Sequence, residues 1–452
     1  MLLEPCRSNS KMKCKTETKK SKIVFVLLAA VLIAQICEVY NISSLKFVGA
    51  FLIIIYSFFV DEQTTLYILM FIMPTNRLFT FWGISVNLMV IVIFFIKYFS
   101  GKNKRHSELL FSCLIFFIYT IFYFYRFSSA SEMLQAIKTF MLLFFCLEIF
   151  SKKSEELLDL YKNAVMFLSI GLTSQVFVSV ITNPNIQALK RLALSNDSNS
   201  NALAIICSYA IAQIVTMWNS KHINNENYLF ILFVLISLIG IYTQSRIFII
   251  SFIISMAWLM LPGCKKYFSK ISKGWAVVFL IAVGIYYFLF ISDGVISEKM
   301  WGAINRILDP SRGDVTNGRI EIWQYYIGIF KSDITILLFG VGNEYNRVGI
   351  PIMAHNALIE QISAFGLVGS FFVFISYLKV SRLIIKKLLY NYSFSGYYNI
   401  LPILIVLSSG MFSHSFMSIN ATLQIFLGIF TLFIVPRKDT QRKVGGNLYE
   451  CL

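Results

Sequence analysis

Charged residues are scarce in this sequence, and their scarcity argues against a water-soluble protein. Only 14% of the 452 residues are Asp, Glu, Lys or Arg, whereas soluble domains carry about 25%. Hydrophobic residues make up 57% of the chain and aromatic residues 16%. A chain of this length could bury a large soluble core, but such a protein would still need more charge on its surface. The composition therefore predicts a protein that lies mostly in the bilayer.

The hydrophobic residues lack the alternation with polar residues that membrane β-strands show. They occur instead in unbroken blocks of about 16 to 20 residues, close to the length that a bilayer-spanning helix needs. Barrel strands would be shorter and would alternate. We therefore predict an all-α integral membrane protein with about 12–14 transmembrane helices. The candidate spans are 23–39, 45–61, 64–80, 83–99, 107–125, 131–150, 161–182, 201–218, 228–243, 247–262, 274–292, 357–380, 397–415 and 420–435.

Acidic residues are much rarer than basic ones, with 23 Asp and Glu against 40 Lys and Arg and a net charge of +17. Lys and Arg in loops favour the cytoplasmic side of a membrane. When the N-terminus is placed inside, most of the basic residues fall in cytoplasmic segments. We therefore predict a multi-pass protein of the cytoplasmic (inner) membrane with both termini cytoplasmic. The positive charge fits contact with anionic membrane lipids and does not indicate nucleic acid as a partner.

Patterns that bind metals or form disulfides are missing. The eight cysteines fall in predicted spans or on the predicted cytoplasmic side, where disulfides do not persist. The sequence has no CxxC pair and no Cys/His cluster. We therefore expect no metal and no cofactor.

Long loops are also rare, with one clear exception at residues 293–356. Loops of this size usually carry function. Within it, residues 316–330 have apolar positions at helical spacing and predict an amphipathic helix on the outer membrane surface. Its apolar face consists of Ile320, Ile322, Trp323, Tyr326, Ile327 and Phe330. The chain thus divides into a basic cytoplasmic tail (1–22), an N-terminal transmembrane bundle (23–292), the large outer loop (293–356), C-terminal transmembrane helices (357–435) and a cytoplasmic tail (436–452).

Histidine is rare too, with four residues in the chain. His355 and His414 lie at helix ends on the predicted outer face. His355 stands directly before the predicted span 357–380. One interpretation is a general base, because imidazole titrates near neutral pH. The alternative is an interfacial cap or anchor without a catalytic role.

Three of the arginines on the predicted outer side form a candidate set, although the charge bias of membrane proteins disfavours arginine there. They are Arg191, Arg246 and Arg319. Guanidinium groups bind phosphates through two parallel hydrogen bonds. Singly, each could equally be a structural residue that extends to the interface, but as a set with His355 they favour a site for an anionic lipid phosphate. Lys138, within the predicted span 131–150, is either a functional intramembrane charge or another residue that extends to the interface.

Five short segments carry a family resemblance through their order and spacing. They are RLALSNDSNSNALA (191–204), TQSRIFIISF (243–252), NGRIEIWQYYIGIF (317–330), LLFGVGNEYN (337–346) and AHNALIEQISAFGLVG (354–369). In this order they resemble the superfamily of O-antigen polymerases and O-antigen ligases. The resemblance covers about residues 185–372, and the N-terminal third matches in hydropathy only.

The resemblance implies a glycosyltransferase-C-like membrane fold and a metal-independent, inverting glycosyltransferase. The donor would be a glycan on undecaprenyl pyrophosphate. Arg191 and Arg246 would hold the pyrophosphate, and His355 would take the proton from the acceptor hydroxyl. Arg319 and Asn356 would support the loop or the sugar, and Lys138 would reach the phosphate from below. A chain-length regulator is a further partner that the resemblance allows.

Three functions remain open from the sequence. A polymerase would use another lipid-linked repeat unit as acceptor, and a ligase would use the lipid A core. The predicted outer face has no long basic stripe to receive an acidic lipid A core, and this favours the polymerase. A transporter or flippase of lipid-linked sugars is the alternative of another class, but it would need inverted repeats or several charged residues in the spans.

Overall fold

A computed structural model gives the fold. It describes residues 6–40, 42–75, 79–81, 84–100, 141–146, 148–149, 154–182, 192, 194, 200–219, 226–259, 301, 305, 319–341, 354–391, 400–411 and 419–431. The helices are α1 (Cys6–Val39), α2 (Ser43–Phe59), α3 (Glu62–Ile72), α4 (Val86–Ser100), α5 (Ser154–Thr182), α6 (Ser200–Asn219), α7 (Glu226–Tyr242), α8 (Arg246–Leu259), α9 (Arg319–Ser332), α10 (Ile334–Phe339), α11 (Ala357–Asn391), α12 (Leu401–Met411) and α13 (Ile419–Thr431). A short hairpin pairs two strands of two residues each, β1 (Thr80–Phe81) and β2 (Ile84–Ser85), in an antiparallel arrangement.

The described helices are compatible with the predicted all-α membrane protein. Three stretches are long and apolar enough to cross a bilayer: Leu158–Thr182, Ser200–Trp218 and Ala357–Leu383. Shorter apolar stretches lie in α1, α2, α4, α7, α8 and α12. Many large apolar side chains on these helices are exposed to the surroundings, including Phe59 and Phe25, as expected where lipid is the solvent.

The predicted spans that fall on described residues coincide with helices, with one clear error in the third. The predicted spans 107–125 and 274–292, and most of 131–150, lie outside the described residues. The third span was expected to run over 64–80, but α3 ends at Ile72 and a 3₁₀ turn, Met73–Thr75, follows. Pro74 is the physical reason, because it has no N–H to donate and its ring disfavours a helical residue before it.

Side chains at the helix ends satisfy backbone groups between α2 and α4. Asp61 caps the start of α3, where its side-chain oxygen accepts the N–H of Thr64 at 2.8 Å. Lys97, in the last turn of α4, donates to the carbonyl oxygens of Ser57 and Val60 at 2.5 and 2.6 Å. A cation at carbonyl groups that lack an intrahelical partner is favourable, so this contact ties α4 to the end of α2.

A buried polar network joins helices that are distant in the sequence. The Tyr161 hydroxyl of α5 donates to Gln213 Oε1 of α6 at 2.7 Å, and Gln213 Nε2 donates to Gln424 Oε1 of α13 at 3.0 Å. All three side chains are almost completely buried. Because a polar group without a partner is costly in an apolar interior, these contacts favour one register of the three helices.

Helix α11, which contains the predicted span 357–380, is broken near its start. Gly366 has φ 64° and ψ −178°, a conformation outside the helical region. The break divides α11 into a first segment (357–365) and a second segment (367–391). Ser370 offsets part of the loss, because its hydroxyl donates to the carbonyl oxygen of Gln361 at 3.2 Å. The predicted site residues His355 and Asn356 directly precede the first segment.

Candidate functional site

The turn between α7 and α8 is tight and carries Arg246. The N–H of Thr243 donates to the carbonyl oxygens of Ile239 and Gly240, and the N–H of Gln244 donates to that of Ile241 at 2.9 Å. Gln244 has φ 51°, a left-handed conformation that a non-glycine residue adopts at a cost of about 1–2 kcal/mol. Helix α8 begins two residues later with Arg246, so the side chain of Arg246 extends from the first turn of this helix.

The segment that begins with Arg191 in the sequence contacts this turn through the residues that follow. Arg191 itself lies outside the described residues. Leu192, its neighbour in the chain, donates its N–H to the carbonyl oxygen of Tyr242 at 3.0 Å. The Ser245 hydroxyl donates to Asn201 Oδ1 at 3.1 Å. These contacts join the Asn-rich segment at the start of α6 to the turn that carries Arg246.

Arg246 and Arg319 influence each other electrostatically, although they are far apart in the sequence. Both side chains are half-buried. Burial and the positive charge of Arg246 lower the pKa of the Arg319 guanidinium. Arginine nevertheless stays charged at neutral pH, so two partly desolvated like charges lie within electrostatic range of each other. Such a pair attracts an anion, and the fold brings two of the three predicted arginines within electrostatic range of each other.

Helix α9 confirms the predicted helix of the large loop, but its apolar face is divided. Tyr326 is fully buried and packs with Ala354, while Ile322, Trp323 and Phe330 pack around them. Ile320 and Ile327, which were predicted on the same face, are each 45% exposed. One side of α9 therefore packs on protein. This packing covers some of the apolar residues that were predicted to face the membrane surface.

The indole of Trp323 fixes α9 to the residue before His355. Its Nε1–H donates to the carbonyl oxygen of Ala354 at 2.8 Å. Because Arg319 lies one turn before Trp323 in the same helix, this bond connects the arginine pair to the start of α11. A tryptophan N–H that is partly buried in an apolar contact needs such an acceptor.

His355 and Asn356 directly precede α11. Asn356 Oδ1 accepts the N–H groups of Leu358 and Ile359 at 3.0 and 3.2 Å. Asn356 is therefore the N-cap of α11, and its side-chain oxygen is used by the helix. The interpretation of His355 as the cap thus places that role one residue too early. The prediction that Asn356 supports the loop agrees with its position, and the prediction that it contacts a sugar stays a prediction.

His355 has an unusual backbone for a non-glycine residue, with φ 51°. Its N–H donates to Glu360 Oε1 at 2.9 Å, and its side chain is half-buried. Sequence reasoning missed Glu360, which is only 5% exposed. The signal was weak because the familiar capping pattern places an acidic residue three positions after the cap, whereas Glu360 follows Asn356 by four.

The predicted site is thus assembled only in part. Leu192 and Asn201 bond to the turn before Arg246, the charge of Arg246 acts on Arg319, and α9 bonds to Ala354, the residue before His355. Lys138 and His414 lie outside the described residues, so their predicted roles stay predictions. Among the residues that the structure describes, no group of three or more His, Cys, Asp or Glu side chains could hold a metal ion.

Comparison with known proteins adds no assignment. No family model matches the chain, and no curated protein matches it. Arguments about function therefore depend on the residues and on the contacts between them.

Proposed function

We propose that this protein is a membrane glycosyltransferase that polymerises a surface polysaccharide such as O-antigen. It would join oligosaccharide repeat units, carried on undecaprenyl pyrophosphate, on the outer side of the cytoplasmic membrane. The observation that carries the proposal is that Leu192 and Asn201 bond to the turn before Arg246, that the charge of Arg246 acts on Arg319, and that the helix of Arg319 bonds to the residue before His355. Segments that resemble the polymerase and ligase superfamily, and that are distant in the sequence, meet there.

The proposed reaction needs an anion site and a base. Arg246 and Arg319, with Arg191, would bind the pyrophosphate of the donor and stabilise its charge as it leaves. His355 would remove the proton from the acceptor hydroxyl. The hydroxyl oxygen then bonds to the anomeric carbon while the bond from that carbon to the pyrophosphate oxygen breaks, which inverts the carbon. No metal or cofactor is needed in this scheme, because guanidinium groups supply the positive charge.

The finer features of the fold belong to the same proposal. They are about 12–14 spans, a large outer loop at 293–356, a glycosyltransferase-C-like arrangement, and cytoplasmic termini. They are supported by the distribution of Lys and Arg and by the agreement of the described helices with the candidate spans. Undecaprenyl-pyrophosphate-linked glycans would be both donor and acceptor, with a chain-length regulator as a further partner.

Substitutions at His355 and Arg246 test the proposal. His355→Ala should lower polymer formation by about 10²–10⁴-fold, the usual loss for a general base. Arg246→Lys should also be damaging, because an ammonium keeps the charge but loses the planar pair of donors. His222→Ala, in a predicted cytoplasmic loop, is the control. The measurement is the surface-glycan profile, with protein level in the membrane followed alongside. Normal chains in His355→Ala would show that the base is assigned wrongly.

The same assay separates the polymerase from its alternatives. A strain without the protein should carry a single repeat unit on its lipid core if the protein is a polymerase. A bare core with accumulated lipid-linked polymer would instead indicate the ligase. Lipid-linked repeat units trapped on the cytoplasmic side would indicate a transporter.

A further inference from the structure

Glu360 holds the backbone of His355 in its unusual conformation. Glu360 Oε1 accepts the N–H of His355 at 2.9 Å, and the side chain is 5% exposed. A hydrogen bond from a backbone N–H to a carboxylate is among the stronger ones in proteins, and it is strengthened where water is excluded. This contact joins Glu360, in the first turn of α11, to His355, the residue before the N-cap Asn356.

The contact matters because His355 would not adopt φ 51° by itself. The left-handed region places the Cβ of an L-residue too close to its own carbonyl oxygen. Left-handed residues of this kind persist only where the surroundings fix them, and they concentrate at functional sites. The side-chain oxygen of Asn356 accepts from Leu358 and Ile359, whereas Glu360 accepts the N–H of His355.

The direction of the imidazole follows from this backbone conformation. If residue 355 relaxed to the right-handed or extended regions, φ would change by more than about 100°. Such a rotation swings the bond from Cα to Cβ and moves the whole ring. A catalytic group that moves by about 1 Å can lose on the order of 10²-fold in rate.

We propose that Glu360 is a positioning residue that acts through His355. It fixes the His355 backbone so that the imidazole points at the acceptor hydroxyl, and it does not itself contact the substrate. This inference rests on the proposed function, because it assumes that His355 is the base. It assigns to Glu360 an effect on the catalytic step and not on substrate binding.

A double-mutant cycle between Glu360 and His355 tests the assignment. The probe is undecaprenyl-pyrophosphate-linked oligosaccharide extracted from a strain that lacks this protein, added to the purified full-length protein. E360A should lower kcat by about 10- to 100-fold and leave KM within about twofold. In the H355A background, E360A should cause no further loss, because residues that act as one unit are not additive.

Two further variants separate positioning from general stability. E360Q keeps an acceptor oxygen at the same place, so its loss should be at most about threefold. E360D keeps the charge but is one methylene shorter, so it should lose kcat at normal protein level, and it replaces E360A if that variant does not accumulate. E321A is the matched control, since Glu321 is an exposed glutamate in the first turn of α9.

Several results would overturn the inference. They are wild-type kcat in E360A or E360D, a loss in E360Q as large as in E360A, or a full additional loss when E360A is combined with H355A. Normal turnover in H355A is a different outcome, because it removes the base itself and with it the proposed mechanism. A dead H355A with a fully active E360A removes the positioning role alone.

Discussion

Backbone strain concentrates at the candidate site. Among the described residues, the non-glycine residues with positive φ are Gln244 and His355. Each lies in one of the segments that resemble the superfamily, and each stands within two residues of a predicted site residue. The sequence indicated His355 and Arg246 through residue type and position. It could not indicate the strain, because the sign of φ depends on how the ends of two helices meet in space.

Asn356 offers a residue-scale test that separates capping from binding. Asn356→Ala removes the acceptor for the N–H groups of Leu358 and Ile359, and should lower the free energy of unfolding by about 1 kcal/mol. Asn356→Asp keeps an acceptor and should leave stability nearly unchanged. Thermal unfolding of the purified protein in detergent measures both. Equal losses in the two variants would contradict the capping role, and lost activity in a stable Asn356→Asp would favour contact of the amide with the sugar.

At the scale of elements, the backbone around the break in α11 contacts the end of α10, the helix that precedes it. The N–H of Val341, just after α10, donates to the carbonyl oxygen of Ser363 at 2.8 Å. A Cβ added at Gly340 would lie 2.6 Å from the carbonyl oxygen of Ala364 and the nitrogen of Gly366. Two glycines therefore allow the end of α10 to approach the break backbone to backbone, and this approach holds α10 against the first segment of α11.

Glycine substitutions test whether this approach shapes the site. Gly366→Ala should be destabilising by several kcal/mol, because a Cβ there meets the backbone of Leu338 and Phe339 and an L-residue disfavours φ 64°. Gly328→Ala is the matched control, since nothing lies within 4 Å of the added atom, and it should be neutral or stabilising by about 1 kcal/mol. Thermal unfolding and glycan chain length are the measurements. A Gly366→Ala protein as stable as the control would contradict the tight approach.

The sequence predicted the elements well and their irregularities poorly, for a physical reason. Helices α5, α6 and α9 follow from hydrophobic blocks and spacing, which are local properties. The break at Gly366 lies within a continuous apolar block, so nothing in the local pattern marks it. The divided face of α9 likewise depends on Ala354, a residue that approaches only in the folded chain. The contact between Glu360 and His355 accompanies the left-handed φ of His355, which no residue type in the sequence marks.

At the scale of the whole molecule, orientation in the membrane is the main prediction. Most Lys and Arg residues lie in segments predicted to be cytoplasmic, including residues 263–273, and this bias sets orientation. Reporter fusions after residue 268 and within residues 310–316 should therefore give opposite signals, cytoplasmic for the first and outer for the second. Alkaline phosphatase and a cytoplasmically active reporter provide the paired readout. Matching signals at the two positions would reject the orientation and with it the outer site.

The buried network of Tyr161, Gln213 and Gln424 has a consequence for how the protein is made. Gln424 lies in α13, the last helix described, whereas its partner Gln213 leaves the ribosome some two hundred residues earlier. Until α13 enters the membrane, the side-chain amide of Gln213 in α6 lies in an apolar environment without its final acceptor. This network is therefore completed late in synthesis. A chain that stops before Gln424 has the side-chain N–H of Gln213 in an apolar environment without this acceptor, which distinguishes it from the finished protein.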